Sequence, residues 1–239
     1  NKAAYFATVQ RLNPVLNSDG KVYALLGDQT YYNGALGDFH VYTPTSDTWS
    51  VGWKRPIYPP SDGITGASIQ LSSGNVLSFG FRTQVVGVNQ EPVYTVLYDP
   101  VKATTTYVGD MPAHSEFPGL VELDDGRVFA AGGLYNGFST RRNTSQIFDP
   151  ATGVWTSKAT LGYYVSSAQA ATLPGNRVLM TGGIGGANSN FNSTLDTTAI
   201  YDVAGNSWAN PGSATLPATL QRHKLVKTPA GRIFVLGGW

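Results

Sequence analysis

The chain has 239 residues, 16 Lys and Arg against 15 Asp and Glu, no Cys, and only 13% charged residues. Nucleic-acid and anionic-membrane binding need a clustered excess of basic residues, so the charge balance argues against both. The lack of Cys excludes disulfides, zinc thiolate centres and cysteine nucleophiles. No apolar run approaches the ~20 residues of a membrane-spanning helix, so we expect no membrane insertion.

One phrase recurs five times along the chain: a turn glycine, a short apolar strand, and then one or two glycines. The turn glycines lie at positions 20, 74, 126, 175 and 231. A period of about 50 residues made of short β segments is typical of radially stacked sheets, because each repeat buries its neighbour's face. We therefore predict an all-β fold and a single domain over residues 1–239.

Each complete repeat is predicted to contain four strands, A to D. Strand A precedes the turn glycine, and strand B is the apolar run after it, which indicates burial on both faces. Strand C ends in an aromatic residue, followed in three repeats by an Asp that can accept hydrogen bonds from the next turn. Strand A is expected at residues 12–17, 67–71, 119–123, 168–173 and 224–227, with Arg222 and His223 at the start of the last copy.

Strand D carries one large ring in each of the first four repeats. These rings are Trp49, Tyr107, Trp155 and Trp208, with Tyr107 as the weakest copy. Each ring is predicted to fill the wedge between adjacent repeats.

The pattern resembles the kelch repeat of β-propellers, a scaffold that galactose oxidase also has. The resemblance covers essentially the whole chain and rests on the Gly pairs at 132–133, 182–183 and 237–238, the Tyr/Phe-Asp pairs at 98–99, 148–149 and 201–202, and the tryptophans. It implies a β-propeller of kelch-like four-stranded blades. The copper site of galactose oxidase needs a Tyr–Cys crosslink, which this chain cannot form, so no cofactor is expected.

The chain contains five A–B pairs but only four C–D pairs. The unassigned residues 3–9 are strand-like, and we predict that they pair with the last A–B hairpin. Such N-to-C closure would complete a five-bladed propeller and remove its free sheet edges. The competing interpretation is a fragment of a six- or seven-bladed propeller.

In a propeller, the B–C and D–A loops share one face, and function is usually located on such loops. We predict a glycan or protein ligand there, because amides and Arg can bridge hydroxyls and exposed rings can stack on sugars. Arg141 and Arg142 could grip a carboxylate, or could instead be salt-bridged to nearby acids. The predicted ligand-binding residues are Tyr31, Tyr32, Trp53, Arg82, His114, Tyr135, Asn136, Arg141 and Arg142.

We expect a non-enzymatic binding propeller, either carbohydrate-binding (lectin-like) or adhesive. The three His residues do not converge by repeat symmetry, so no catalytic residue and no metal ligand is predicted. One alternative is a protein-interaction or structural module of a virion or cell-surface assembly. A second alternative, which kelch-type mutarotases suggest, is a sugar mutarotase-like enzyme using His114, Glu116 and the Arg pair.

An extracellular or cell- or virion-surface location is expected, because polar, weakly charged surfaces are common there. The start at Asn1 rather than Met fits either removal of a signal peptide or an artificially trimmed chain. Two glycosylation sequons, at Asn143 and Asn192, would matter in a eukaryotic secretory setting.

Overall fold

A computed structural model of the chain describes residues 13–25, 39–53, 67–82, 93–135, 140–209 and 215–239. These residues form 23 β-strands joined by turns, and they include no helix long and apolar enough to cross a membrane. The strands fall into two compact units, one that ends at His114 and one that spans Ser115–Trp239. Over the residues that the structure describes, the prediction of an all-β fold is confirmed.

The first unit contains two four-stranded antiparallel sheets in simple meander order. The rings of Tyr23 and Tyr98 meet between the sheets with centroids 5.3 Å apart, in a core shared with Val41, Val76 and Val96. The first sheet is β1 (Asn13–Leu16), β2 (Val22–Leu25), β3 (Phe39–Thr43) and β4 (Thr48–Trp53), and the second is β5 (Ala67–Gln70), β6 (Val76–Arg82), β7 (Val93–Asp99) and β8 (Thr104–Asp110). These eight strands are the predicted A–D strands of repeats one and two.

The second unit contains repeats three and four and an A–B hairpin. Repeat three is the sheet of β9 (Gly119–Glu122), β10 (Val128–Ala131), β13 (Ser145–Asp149) and β14 (Val154–Lys158). Repeat four is β16 (Gln169–Leu173), β17 (Arg177–Thr181), β20 (Thr198–Asp202) and β21 (Ser207–Ala209), and the hairpin is β22 (Lys224–Lys227) with β23 (Ile233–Leu236). Five short strands lie in the connections: β11 (Leu134–Tyr135), β12 (Thr140–Arg141), β15 (Tyr164–Ser166), β18 (Ile184–Gly186) and β19 (Ser193–Thr194).

Aromatic rings join repeats three and four. Phe129 of β10 stacks on Tyr201 of β20 at 4.8 Å, and Trp208 of β21 packs on both rings. The Trp208 indole N–H also donates to the carbonyl oxygen of Ala159, which follows β14, over 2.9 Å. Trp208 therefore fills the predicted wedge. Tyr107, the weakest copy, keeps 56% of its surface exposed.

The Asp residues that end strand C bind the following turn as predicted. Asp99 accepts hydrogen bonds from the amides of Val101 and Lys102, and Asp202 accepts from Ala204 and Gly205. Such side-chain acceptors satisfy backbone donors that the sheet ladder cannot reach, and so they fix the tight C–D turn.

The Gly pairs after strand B lie where the connections into two successive repeats come together. The amide of Gly183 donates to Leu220, while a Cβ on Gly183 would lie 2.6 Å from the carbonyl oxygen of Ser166. With a φ of 101° as well, this position excludes a side chain on two grounds. Gly133 is in the same situation between Glu116 and Val165.

Some boundaries differ from the sequence prediction. The B–C and D–A connections of the second unit were expected to be loops, but they carry β11, β12, β15, β18 and β19. These segments lie side by side, so their backbone N–H and C=O groups form hydrogen bonds with one another in short antiparallel pairs. The last strand A has its predicted bounds, Lys224–Lys227, but Arg222 and His223 precede it rather than begin it. Residues 3–9 lie outside the described residues, so the N-to-C closure, the blade count and the single domain stay predictions.

Candidate functional site

The best-defined candidate site is the hairpin formed by β11 and β12, in the B–C connection of repeat three. Leu134 pairs with Arg141, and Tyr135 pairs with Thr140. Antiparallel partners point to the same face of a sheet, so the hairpin has two chemically distinct sides. Leu134 and Arg141 are buried on one side, whereas Tyr135 and Thr140 are partly exposed on the other.

The guanidinium of Arg142 lies over the ring of Tyr135, 4.3 Å from its centroid. The backbone fixes this position, since the Arg142 amide donates to Gly133 and its carbonyl accepts from Val165. A cation held against an aromatic face is stabilised by the ring quadrupole. The buried Nε has no hydrogen-bond partner among the described residues, and no described carboxylate pairs with the side chain. The charge of Arg142 is therefore not compensated by a carboxylate in the described part of the chain.

Arg141 points to the opposite side of the hairpin and holds the next repeat. Its Nε donates to the carbonyl oxygen of Ile184 over 3.0 Å, and a terminal nitrogen donates to Asn192 Oδ1 over 2.6 Å. Its amide donates to the carbonyl of Ser189. Burial lowers the pKa of the Arg141 guanidinium, yet no described carboxylate compensates its charge. The two arginines, adjacent in sequence, therefore lie on opposite sides of the hairpin. Arg142 is partly exposed, whereas Arg141 is buried and forms hydrogen bonds to residues 184–192.

The other predicted site residues lie in several different parts of the chain. Tyr31, Tyr32 and Asn136 lie outside the described residues. Trp53 and Arg82 are the last residues of β4 and β6, in strands rather than in the predicted loops. His114 is buried at the end of the first unit, whereas Glu116 is buried in the second unit and bridges to Leu134.

A second polar feature escaped the sequence analysis. In repeats three and four and in the last hairpin, a buried polar residue stands three positions before strand A, as Glu116, Ser166 and Gln221. The next residue in each case has a positive φ of 53° to 57°, and the Ser167 amide donates to Phe117 as the Arg222 amide donates to Ser167. Ser166 Oγ and Gln221 Oε1 are buried with no partner in the described part of the chain. A water or a ligand hydroxyl would satisfy them.

His223 forms a buried contact in the same region. Its Nε2 and the hydroxyl of Thr181 are 2.7 Å apart, and its side chain is fully buried. Burial, and then the charge of Lys224, lower the pKa of the imidazole from its ordinary value. His223 is therefore a neutral structural link between the last hairpin and β17, and the described residues nowhere bring three His, Cys, Asp or Glu side chains together.

Comparison with known proteins places this arrangement in a scaffold class. No family model matches the chain, and no curated protein matches it in sequence. A fungal alcohol oxidase of the AA5 family, solved in complex with copper, superposes with a TM-score of 0.64 at 18% identity, over 96% of this chain and 49% of the oxidase. YjhT superposes with a TM-score of 0.68 at 14% identity, over 98% of this chain and 82% of YjhT.

These similarities support a galactose oxidase- or kelch-like β-scaffold of the β-propeller type. The chain spans about half the length of the oxidase.

Proposed function

We propose that the protein is a non-enzymatic binding protein that takes a negatively charged carbohydrate at the open side of the β11–β12 hairpin. The observation that carries this proposal is the Arg142 guanidinium, which lies against Tyr135 with no described carboxylate beside it. A partly buried cation without a counter-charge is costly, and an anionic ligand would remove that cost. Guanidinium donors match carboxylate and sulfate oxygens in a bidentate way.

The neighbouring groups suit a sugar rather than a bare anion. Tyr135 offers an aromatic surface, and Thr140 pairs with it on the same side of the hairpin. Both side chains are partly exposed, as is Arg142. The Thr140 hydroxyl can bind a sugar hydroxyl, and the Tyr135 ring can pack on the apolar face of a sugar. The Arg142 guanidinium can bind a charged substituent.

Ligand-induced thermal stabilisation against matched acidic and neutral glycans tests the proposal. A ligand present at 100 times its Kd stabilises the fold by about 2.7 kcal/mol, which is a shift of roughly 5–11 °C in Tm for a chain of this size. We expect acidic glycans to give this shift, neutral ones of the same ring type to give little, and added salt to reduce it.

Two variants locate the site. Arg142→Gln should abolish the shift, whereas Arg177→Gln, at an exposed position in β17, should leave it unchanged. Equal shifts with acidic and neutral glycans, or an Arg142→Gln protein that still responds, would count against this ligand class and this site. No shift with any glycan in the panel would contradict carbohydrate binding altogether.

A further inference from the structure

We propose that Asn192 is an acceptor for N-linked glycosylation and that the second sequon, at Asn143, is not. Both asparagines stand two residues before a hydroxyl residue, in Asn192-Ser193-Thr194 and Asn143-Thr144-Ser145. The motif alone does not distinguish them, because N-x-Ser/Thr is short. Their surroundings do.

Asn192 presents the reacting atom to solvent. Its side chain is exposed, and its Oδ1 is engaged by the terminal nitrogen of Arg141 at 2.6 Å. That contact orients the carboxamide and leaves Nδ2, the nitrogen that bears a glycan, without a partner among the described residues. A glycosylated amide keeps its oxygen, so the bond to Arg141 survives modification.

The chain around Asn192 also has room for a sugar. Asn192 follows a turn closed by the Phe191 amide and the Asn188 carbonyl, and residues 187–193 are mostly exposed. The neighbouring Phe191 ring is 46% exposed. An exposed ring next to the acceptor offers an apolar face on which the first sugar can pack.

Asn143 has the opposite surroundings. It is half-buried, its Nδ2 donates to the carbonyl oxygen of Leu161 over 3.3 Å, and its own carbonyl accepts from the Leu161 amide. A glycan on this nitrogen would have to fit at a half-buried position beside Leu161, a fully buried member of the core. Molecules modified at Asn143 should therefore fail to fold and should not appear in the secreted product.

The chemistry needs one co-reactant, a lipid-pyrophosphate-linked oligosaccharide of a secretory pathway. Nδ2 forms a bond to the anomeric carbon, the bond from that carbon to the pyrophosphate oxygen breaks, and Nδ2 loses one proton. The lipid pyrophosphate leaves, and nothing is oxidised or reduced. Passage of the chain through such a pathway is part of the proposal.

The test secretes the full chain from a eukaryotic host behind a cleavable signal peptide. Intact mass before and after peptide-N-glycosidase should show one glycan, and peptide mapping should place it at Asn192 and not at Asn143. Thr194→Ala, which destroys the sequon and keeps the Asn192–Arg141 bond, should remove the glycan. Thr194→Ser keeps both the sequon and the hydroxyl that accepts from Gln221, so it should retain the glycan.

Several results would overturn the proposal. They are an unmodified wild-type chain, a glycan at Asn143 in folded secreted protein, and a Thr194→Ala protein of unchanged glycan mass. If Thr194→Ala is not secreted, the peptide map of the wild type and of Thr194→Ser still decides the matter. Glycan-binding measurements do not enter this test, so its outcome is separate from that of the proposed ligand site.

Discussion

The Nε of Arg141 donates to the backbone carbonyl of Ile184 over 3.0 Å, and so joins the B–C connection of repeat three to that of repeat four. A buried guanidinium whose acceptors are a carbonyl and an amide oxygen organises the backbone, because its planar fork fixes both partners at once. Arg141 therefore has a structural role in the connection of repeat four, whereas its neighbour Arg142 lies on the partly exposed side of the same hairpin.

Replacing Arg141 by Met should therefore destabilise the fold rather than only weaken ligand binding. The change keeps the length of the aliphatic stem but leaves Ile184 and Asn192 without their donors. Hydrogen bonds to charged groups contribute about 1.5–3 kcal/mol each, but Met also removes a buried charge that no described carboxylate compensates. Because the second effect partly offsets the loss of two bonds, we expect the free energy of unfolding to fall by about 2–3 kcal/mol in urea denaturation.

Arg127→Met is the control for that measurement. Arg127 pairs with Asp125 at 2.6 Å on an exposed turn, where an ion pair contributes about 1 kcal/mol or less. Equal losses for the two variants would show that the contacts of Arg141 do not carry the difference.

A Cβ at position 183 should be far more costly than one at position 126. Both glycines have positive φ, 101° at Gly183 and 83° at Gly126, so Ala is strained at either position. Only at Gly183 would the Cβ also meet backbone, 2.6 Å from the oxygen of Ser166, whereas nothing lies within 4 Å at Gly126. We expect Gly183→Ala to cost about 2 kcal/mol more than Gly126→Ala in unfolding free energy.

The comparison separates strain from close packing. Similar losses at the two positions would mean that the backbone conformation alone explains the glycine at 183, and that the contact with the connection into repeat four relaxes at little cost.

The scaffold could be predicted from the sequence because its determinants are local and repeated. Turn glycines, apolar B strands and the Asp after strand C all act within a few residues, and the strands were found where these patterns put them, as at Lys224–Lys227. Five copies of one pattern also reinforce each other, so an error in one repeat is exposed by the others.

The site could be predicted only in part. Tyr135 and Arg142 were predicted as ligand-binding residues, but which of Arg141 and Arg142 faces the next repeat depends on the register of a hairpin with only two residue pairs. A shift of one residue would exchange their faces, and no propensity in the sequence sets that register. Ser166 and Gln221 were not predicted, because a polar residue just before a strand is usually exposed to solvent. Their burial accompanies the positive φ of the next residue, which the sequence does not indicate.

Trp208→Phe tests the contact between repeats three and four. The change keeps a ring on Phe129 and Tyr201 but removes the N–H that donates to the Ala159 carbonyl and, at 3.2 Å, to Ser145 Oγ. We expect a loss of about 1–2 kcal/mol in unfolding free energy, since each neutral hydrogen bond contributes about 1 kcal/mol.

Trp239→Phe, at a ring that is 71% exposed, should be close to neutral and serves as the control. If Trp208→Phe is equally neutral, the indole serves only as apolar filler between the repeats.

His223 should make the stability fall at mildly acidic pH. Its folded-state pKa lies below the unfolded value of 6.5, chiefly through burial, so at lower pH the unfolded chain binds a proton that the folded chain resists. The stability is therefore complete above pH 6.5 and declines as the pH falls from 6.5 to the folded-state pKa, by at most about 1.4 kcal/mol for each pH unit.

His223→Gln can still bind the Thr181 hydroxyl but cannot titrate. Plotted against pH, the difference in Tm between the wild type and His223→Gln should be flat above 6.5 and turn against the wild type below it. A flat difference down to pH 5 would mean that the imidazole is protonated in the folded protein without penalty, and that burial does not lower its pKa.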